Sequence, residues 1–146
     1  MEKYENNNNY QIVNISRSND PLKILTDQVP SEVKFSFLPY LTIDEKDKIV
    51  TSTLSSQFIQ TDNSPLTNEL IVRVSFMFAK SLPILKDGAD KVKIQSYKDL
   101  LSIFDTAIGT FRGILFEWLK GSSLQQPLPP VDVEEFMKGL RISFSK

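Results

Sequence analysis

The chain contains neither cysteine nor histidine. Without cysteine it can form no disulfide and no thiolate zinc site, and it has no thiol nucleophile. Without histidine it lacks the commonest general base and metal ligand, and its serines lack the usual activator of a hydrolase triad. Triad hydrolysis is therefore excluded, carboxylates remain the candidates for catalysis, and we expect neither a metal nor another cofactor.

Neither sign of charge is in excess, and long apolar runs are absent. Because 17 Lys+Arg stand against 18 Asp+Glu, no chain-wide positive field gathers phosphates, and we expect no nucleic-acid partner. No stretch approaches the ~18 consecutive apolar residues of a membrane span. The segment from Met1 to Tyr10 is polar and Asn-rich, unlike a signal peptide. We therefore expect a cytoplasmic protein with no membrane partner.

The remaining catalytic candidates are two groups of carboxylates. The first, from Asp44 to Asp47, alternates with lysine in a hairpin-like stretch, which is typical of a solvated turn. The second, from Asp132 to Glu135, lies where a helix is predicted to begin, and acidic side chains complement the helix dipole there. No glycine-rich phosphate-binding motif occurs. The pattern predicts a protein that is not an enzyme.

Strand-like patterns fill the first half of the chain. At 146 residues the length suits one domain, with residues 1–9 predicted as a disordered polar tail and residues 10–146 as the folded unit. Short β-branched and aromatic runs with period-two alternation predict four antiparallel strands. They are Tyr10–Ser16, Glu32–Ile43, Lys48–Gln60 and Leu70–Phe78. Pro39 predicts an edge position or a bulge in the second, and a loop is predicted from Lys80 to Gln95.

Two helices are predicted after the strands. Ser96 is a candidate N-cap for a long helix that ends near Lys120 and Gly121. One apolar stripe consists of Leu101, Phe104, Ile108, Phe111, Leu115 and Trp118. A second apolar face consists of Leu100, Ile103, Ala107 and Ile114, so we expect packing partners on two sides. After a Pro-rich crossing, Asp132 is predicted to open a short second helix.

Two further features of the sequence allow alternative interpretations. Gly109 and Gly113 form a G-x-x-x-G pattern, which either lets another helix or strand approach closely or fits beneath the chain's own sheet. The aromatic residues Phe35, Phe37 and Tyr40 cluster around Pro39. They form either part of the core or an exposed groove, in which non-directional burial tolerates many client sequences.

Three stretches resemble the SecB family of export chaperones. "GTFRGILFEWLKGSS" is similar to the end of the family's long helix, and "LQQPLPPVDVEEFM", from Leu124 to Met137, resembles its crossing into the last helix. The weaker match, "SEVKFSF", resembles the start of the second family strand. The resemblance implies an α+β fold with a four-stranded antiparallel sheet and a long and a short C-terminal helix packed on one face. It also implies a homotetramer, built as a dimer of dimers with the long helices at the interface.

The resemblance further implies a site for unfolded polypeptide. The candidate groove residues are Phe35, Phe37, Tyr40, Leu41, Val133, Phe136 and Met137. The candidate oligomer interface comprises Leu100, Ile103, Ala107, Gly109, Gly113 and Ile114. The family's surface for the SecA motor is usually acidic, but the corresponding residues here are Asp20, Lys23 and Arg73. The carboxy-terminal tail also lacks Cys and His, so binding to a SecA-type motor is doubtful.

Three hypotheses of function follow from these observations. The first is a SecB-like holdase that binds unfolded polypeptide clients, either preproteins for protein export or one narrow client such as an antitoxin. The second is an assembly or adaptor protein that uses the same apolar surfaces for a folded partner. The third is an enzyme that uses the carboxylates, which a bound catalytic metal would support.

Overall fold

The computed structural model describes residues 9–28, 30, 32–89, 91–122, 124 and 133–145, without the side chain of Glu135. The elements are β1 (Tyr10–Arg17), β2 (Lys34–Asp44), β3 (Ile49–Ile59), β4 (Leu70–Phe78), β5 (Ile84–Lys86), β6 (Val92–Ile94), α1 (Tyr97–Leu119), α2 (Val133–Gly139) and β7 (Arg141–Phe144). The α+β fold and its four predicted strands and two predicted helices are confirmed. Asp132, predicted to open the second helix, lies outside the described residues, as does the predicted tail except for Asn9.

The main sheet has five strands in the order β1-β4-β3-β2-β7. The first four pair antiparallel, and β7 pairs parallel with β2. Every second residue of β3 and β4 is buried, as expected for strands with one face against a core. The buried side is called the inner face below, and the opposite side the outer face.

The prediction of four strands and a long loop missed two features. A fifth strand, β7, extends the sheet beyond β2, and the predicted loop contains a hairpin of β5 and β6. Gly88 lies in the turn of this hairpin with φ +86°, a conformation that favours glycine. These strands have only three or four residues, too few for a period-two pattern to emerge from the sequence.

The long helix α1 covers the inner face of the sheet. The side chain of the N-cap Ser96 accepts a hydrogen bond from the Asp99 amide at 3.2 Å, as predicted. Gly121, just after the helix, has φ +81°. The apolar side chains that α1 buries in the core are Leu100, Ile103, Phe104, Ala107, Ile108, Phe111, Leu115, Trp118 and Leu119.

Pro39 marks the point where β2 changes its neighbours. The register of β2 with β3 is continuous from Lys34 to Asp44, so the alternative of a bulge is wrong. On its other side β2 pairs with β7 only from Tyr40 onward, so among the described residues the edge is open from Lys34 to Pro39. Because proline has no N–H, its position at this open edge costs the sheet no ladder hydrogen bond.

Candidate functional site

Six phenylalanines from two strands and two helices form one continuous surface, called the aromatic cluster. Its members are Phe35, Phe37, Phe58, Phe104, Phe111 and Phe136. The Phe35 ring lies 5.2 Å from Phe58 and 6.4 Å from Phe111, centroid to centroid. The Phe37 ring lies 6.3 Å from Phe111 and 6.4 Å from Phe136. Phe104 and Phe136 are closer still, at 4.6 Å with tilted planes.

The cluster is buried at one end and open at the other. Phe58, Phe104, Phe111 and Phe136 are buried, whereas Phe35 and Phe37 are only half-buried. The two half-buried rings belong to the stretch of β2 that has no partner on this edge among the described residues. A chain lying along this edge could place apolar side chains on Phe35 and Phe37 and pair its backbone with β2.

The short helix α2 covers the far end of the cluster. Its Phe136 is fully buried, whereas Val133 is half-buried and Met137 is 38% exposed. The Tyr97 hydroxyl, at the start of α1, donates to the Met137 sulfur at 3.8 Å. The two helices therefore contact each other next to the buried Phe136, and they leave Val133 and Met137 partly accessible there.

Two of the predicted groove residues do not share this surface. Tyr40 is 36% exposed and lies opposite Thr53, so it faces the outer side of the sheet, because successive side chains of a strand alternate. Leu41 faces inward but is 1% exposed and belongs to the core. Both are corrections to the predicted groove, which reduces to Phe35, Phe37, Val133 and Met137 around the buried Phe136.

The sequence missed three members of the aromatic cluster. Phe58 belongs to the strand predicted over Lys48–Gln60, and Phe104 and Phe111 were predicted on an apolar stripe of the long helix. Each pattern gave the face of its own element, but not that these faces meet over Phe35 and Phe37. That meeting depends on the register of β2 with β3 and on the place where α1 crosses the sheet.

The predicted oligomer interface divides between the two sides of α1. Leu100, Ile103 and Ala107 are buried in the chain's own core, so their apolar character needs no partner subunit. Gly109 and Gly113 lie exposed, and a Cβ added at either would meet nothing within 4 Å. The alternative that the glycines fit beneath the chain's own sheet is therefore wrong. Ile114 is partly buried.

The residues of the predicted motor surface, Asp20, Lys23 and Arg73, are exposed. Asp20 and Lys23 lie between β1 and β2, whereas Arg73 lies in β4. Arg73 projects from the outer face of β4 opposite Thr53, and Lys23 pairs with Asn68 through its backbone. The backbone oxygen of Asp20 accepts a hydrogen bond from the Trp118 indole at 3.1 Å. Both basic side chains of the predicted surface are therefore exposed to solvent.

The first carboxylate group forms a turn between β2 and β3. Asp44 Oδ1 accepts hydrogen bonds from the amides of Lys46 and Asp47, both at 3.1 Å. In the next turn the Ser64 hydroxyl and amide donate to Asp62 and hold the pKa of that carboxyl below its usual value.

Within the described residues, no group of three or more carboxylates is placed to hold a metal ion, and no helix is long and apolar enough to cross a membrane.

Comparison with solved structures finds similar architectures, one of which is described here. It is the SecB-like chaperone Rv1957 of Mycobacterium tuberculosis, in complex with a ChAD peptide from the HigA1 antitoxin, Rv1956. The match has a TM-score of 0.47 and 16% sequence identity, and it covers 86% of each chain. No family model and no curated protein matches the sequence.

Proposed function

We propose that this protein is a chaperone of the holdase type, which binds extended apolar segments of unfolded polypeptide without a chemical step. The observation that carries the proposal is the half-buried pair Phe35 and Phe37, joined to a buried aromatic cluster beside an open strand edge. The resemblance of three sequence stretches to the SecB family supports it. In this proposal the protein works in the cytoplasm, with which a chain free of cysteine is compatible.

Burial of apolar client surface would supply the affinity. Each Å² removed from water contributes roughly 25 cal/mol, and the cost of ordering the client reduces the net gain. On the edge away from β3, the backbone of β2 from Lys34 to Pro39 has no partner strand in the described part of the chain, and it would add hydrogen bonds that any sequence can make, although Pro39 itself cannot donate. Weak contacts spread over several residues suit a site that holds many clients and releases them.

The test of the proposed function is whether the protein suppresses the aggregation of several unrelated unfolded proteins. Light scattering measures the aggregation. Suppression of all of them supports a general holdase. Suppression of a single client supports the narrower proposal of a dedicated chaperone, for instance of an antitoxin. If no unfolded protein is held but a folded partner binds, the protein is an adaptor and the chaperone proposal is wrong.

We also propose that the outer side of α1 joins subunits, in a tetramer built from dimers. Gly109 and Gly113 permit close approach there, and Phe116 on the same side is 51% exposed. Gly113→Leu should split the assembly, while the monomer folds at least as well, since the added side chain meets open space and glycine is a poor helix former. Light scattering measures the mass, and a wild-type monomer at micromolar concentration would contradict the proposal.

We further propose that a SecA-type motor binds this protein weakly or not at all. The exposed Lys23 and Arg73 occupy positions that the family resemblance associates with acidic docking residues. A basic pair at the contact would repel a motor that recognises acidic side chains. Titration with a SecA-type motor at low and high salt tests this, and tight, salt-sensitive binding would refute it.

A further inference from the structure

The strand β7 fills only part of one edge of β2. It pairs with β2 from Tyr40 to Ile43, and Ser145 extends the contact, because its amide and its hydroxyl donate to the Ile43 carbonyl at 2.9 and 3.3 Å. On the same edge, β2 has no partner from Lys34 to Pro39 among the described residues. One continuous strand of eleven residues therefore presents an open stretch followed by a filled one.

The contacts that hold β7 in place are weaker than those of the other strands in the sheet. It has four residues, none of them fully buried, whereas β3 and β4 bury every second residue. Its pairing is parallel, which is slightly less stable per residue than antiparallel pairing. Its side chains Ile142 and Phe144 also line an open cavity of about 250 Å³, so part of their surface lacks a packing partner. A strand held in this way is suited to displacement.

β7 makes the same kinds of contact that an extended client would make. Ile142 and Phe144 are paired with the buried Leu41 and Ile43, so they lie on the inner face and pack against the core. The residues between them are exposed, and the backbone pairs with β2. Strand addition uses these two elements, main-chain hydrogen bonds for affinity and alternate side chains for specificity.

The junction between α2 and β7 lies where the open and the filled stretches of β2 meet. Gly139 is the last residue of α2, and a Cβ added there would lie 3.4 Å from Pro39 Cδ, so the junction lies against the end of the open stretch. A chain that pairs with β2 from Lys34 to Pro39 therefore meets β7 at Tyr40. It can pair with the rest of β2 only if β7 leaves.

We propose that β7 is an internal competitor of the client, displaced by extended segments that span the whole of β2 and carry apolar side chains at every second position. The inference rests on the proposed function, since it names the class of client segment and what limits its binding. A shorter segment pairs with the open stretch alone, beside Phe35 and Phe37, and leaves β7 in place. A longer segment competes with β7, so the docking of β7 lowers its apparent affinity. Such a segment is free to run antiparallel to β2, the more stable direction.

A reversible lock on β7 tests this inference. Thr42 and Ser143 are directly paired and exposed, and the chain has no cysteine of its own, so Thr42→Cys with Ser143→Cys places one removable disulfide between β2 and β7. Thr51→Cys with Ser75→Cys is the matched control. These two hydroxyls lie 2.9 Å apart on the outer faces of β3 and β4, whose pairing the proposal leaves unchanged.

The probes are two labelled peptides in which valine and phenylalanine alternate with charged residues of both signs. One is as long as β2, eleven residues, and the other is as long as its open stretch, six residues. Fluorescence anisotropy compares the oxidised and reduced forms of each variant. Oxidation of the lock should lower the affinity of the long peptide about tenfold and change that of the short peptide less than about twofold. Oxidation of the control pair should change neither affinity more than about twofold.

A variant that weakens the docking of β7 should have the opposite effect. Phe144→Ser removes a half-buried side chain of β7 and should raise the affinity of the long peptide about threefold, with the short peptide unchanged. Circular dichroism verifies that each variant is folded. If Phe144→Ser weakens the long peptide instead, Phe144 belongs to the client site, and the inference is wrong.

The lock itself gives further results that would overturn the inference. These are equal affinity of the long peptide for the oxidised and reduced forms, an equal loss for both peptides, and an equal loss in the control pair. If oxidation changes the mass of the protein in light scattering, the edge joins copies of this chain, and the inference also fails.

The wild type separates this inference from the proposed function. If it suppresses aggregation of unfolded proteins while the lock leaves peptide affinity unchanged, only the displacement of β7 fails. If it holds no unfolded protein and binds neither peptide, the proposed function itself fails.

Discussion

The two faces of β2 carry similar residues but differ in structure. Phe35 and Phe37 on the inner face join the aromatic cluster, whereas Leu38 and Tyr40 on the outer face lie 47% and 36% exposed. What separates them is the presence of α1 and α2 over the inner face. Apolar residues on a strand therefore acquire a role from what covers them, and the partly covered face is the one suited to a ligand.

The largest effect is expected where the inner face is fully covered. Phe136→Ala should lower the free energy of unfolding by about 3–5 kcal/mol, because the ring is fully buried between Phe37 and Phe104. Thermal or urea unfolding measures the change. A loss below about 1 kcal/mol would mean that α2 does not close the cluster, and the contrast between covered and uncovered rings would disappear.

A smaller loss of stability, with a loss of binding, is expected at the partly covered position. Phe37→Ala should cost about 1–2 kcal/mol, less than a buried phenylalanine, and should weaken suppression of client aggregation. Leu38→Ala is the matched control. Leu38 is the next residue of β2, and its apolar side chain projects from the outer face of the sheet. If both variants impair client holding equally, the inner face has no special part in binding.

The smallest effects are expected at two buried serines of β3 on the inner face. Ser52 Oγ has no hydrogen-bond partner among the described residues, whereas Ser56 Oγ donates to the Leu70 carbonyl at 3.2 Å. Ser52→Ala should raise the free energy of unfolding by about 1 kcal/mol, and Ser56→Ala should lower it by a similar amount. Denaturant unfolding measures both free energies. If the two substitutions change the free energy of unfolding in the same direction, hydrogen bonding does not decide how these serines contribute to stability.

The long elements were predictable from the sequence because their patterns repeat many times. β3 and β4 alternate over 11 and 9 residues, and the apolar stripe recurs along most of the 23 residues of α1, behind a hydrogen-bonding cap. Short elements give no such pattern. β7 has four residues, and only its parallel pairing with Tyr40 to Ile43 makes it a strand. β7 also pairs with part of the edge of β2 that was predicted to have no neighbouring strand.

The candidate site was predicted in part. Phe35, Phe37 and the second helix were identified, because an irregular aromatic strand and a capped apolar segment are local signals. Tyr40 was assigned to the same surface incorrectly. It is close to Phe35 and Phe37 in sequence, but side chains of a strand alternate, and Tyr40 lies on the opposite face of β2. The pairing of β7 beside this surface had no local signal, because it joins residues about 100 positions apart along the chain.

The sequence by itself determined the class of this protein: no thiol or imidazole chemistry, strands followed by helices, and a long helix with two apolar faces. These properties depend on residue types and on periods of two and 3.6, which neighbouring residues impose. Tertiary structure alone decided which aromatic rings are partly open, that the glycines of α1 face outward, and that Ile142 and Phe144 of β7 pack against the core. Such juxtapositions follow from strand register and helix placement, which depend on packing between residues distant in the chain.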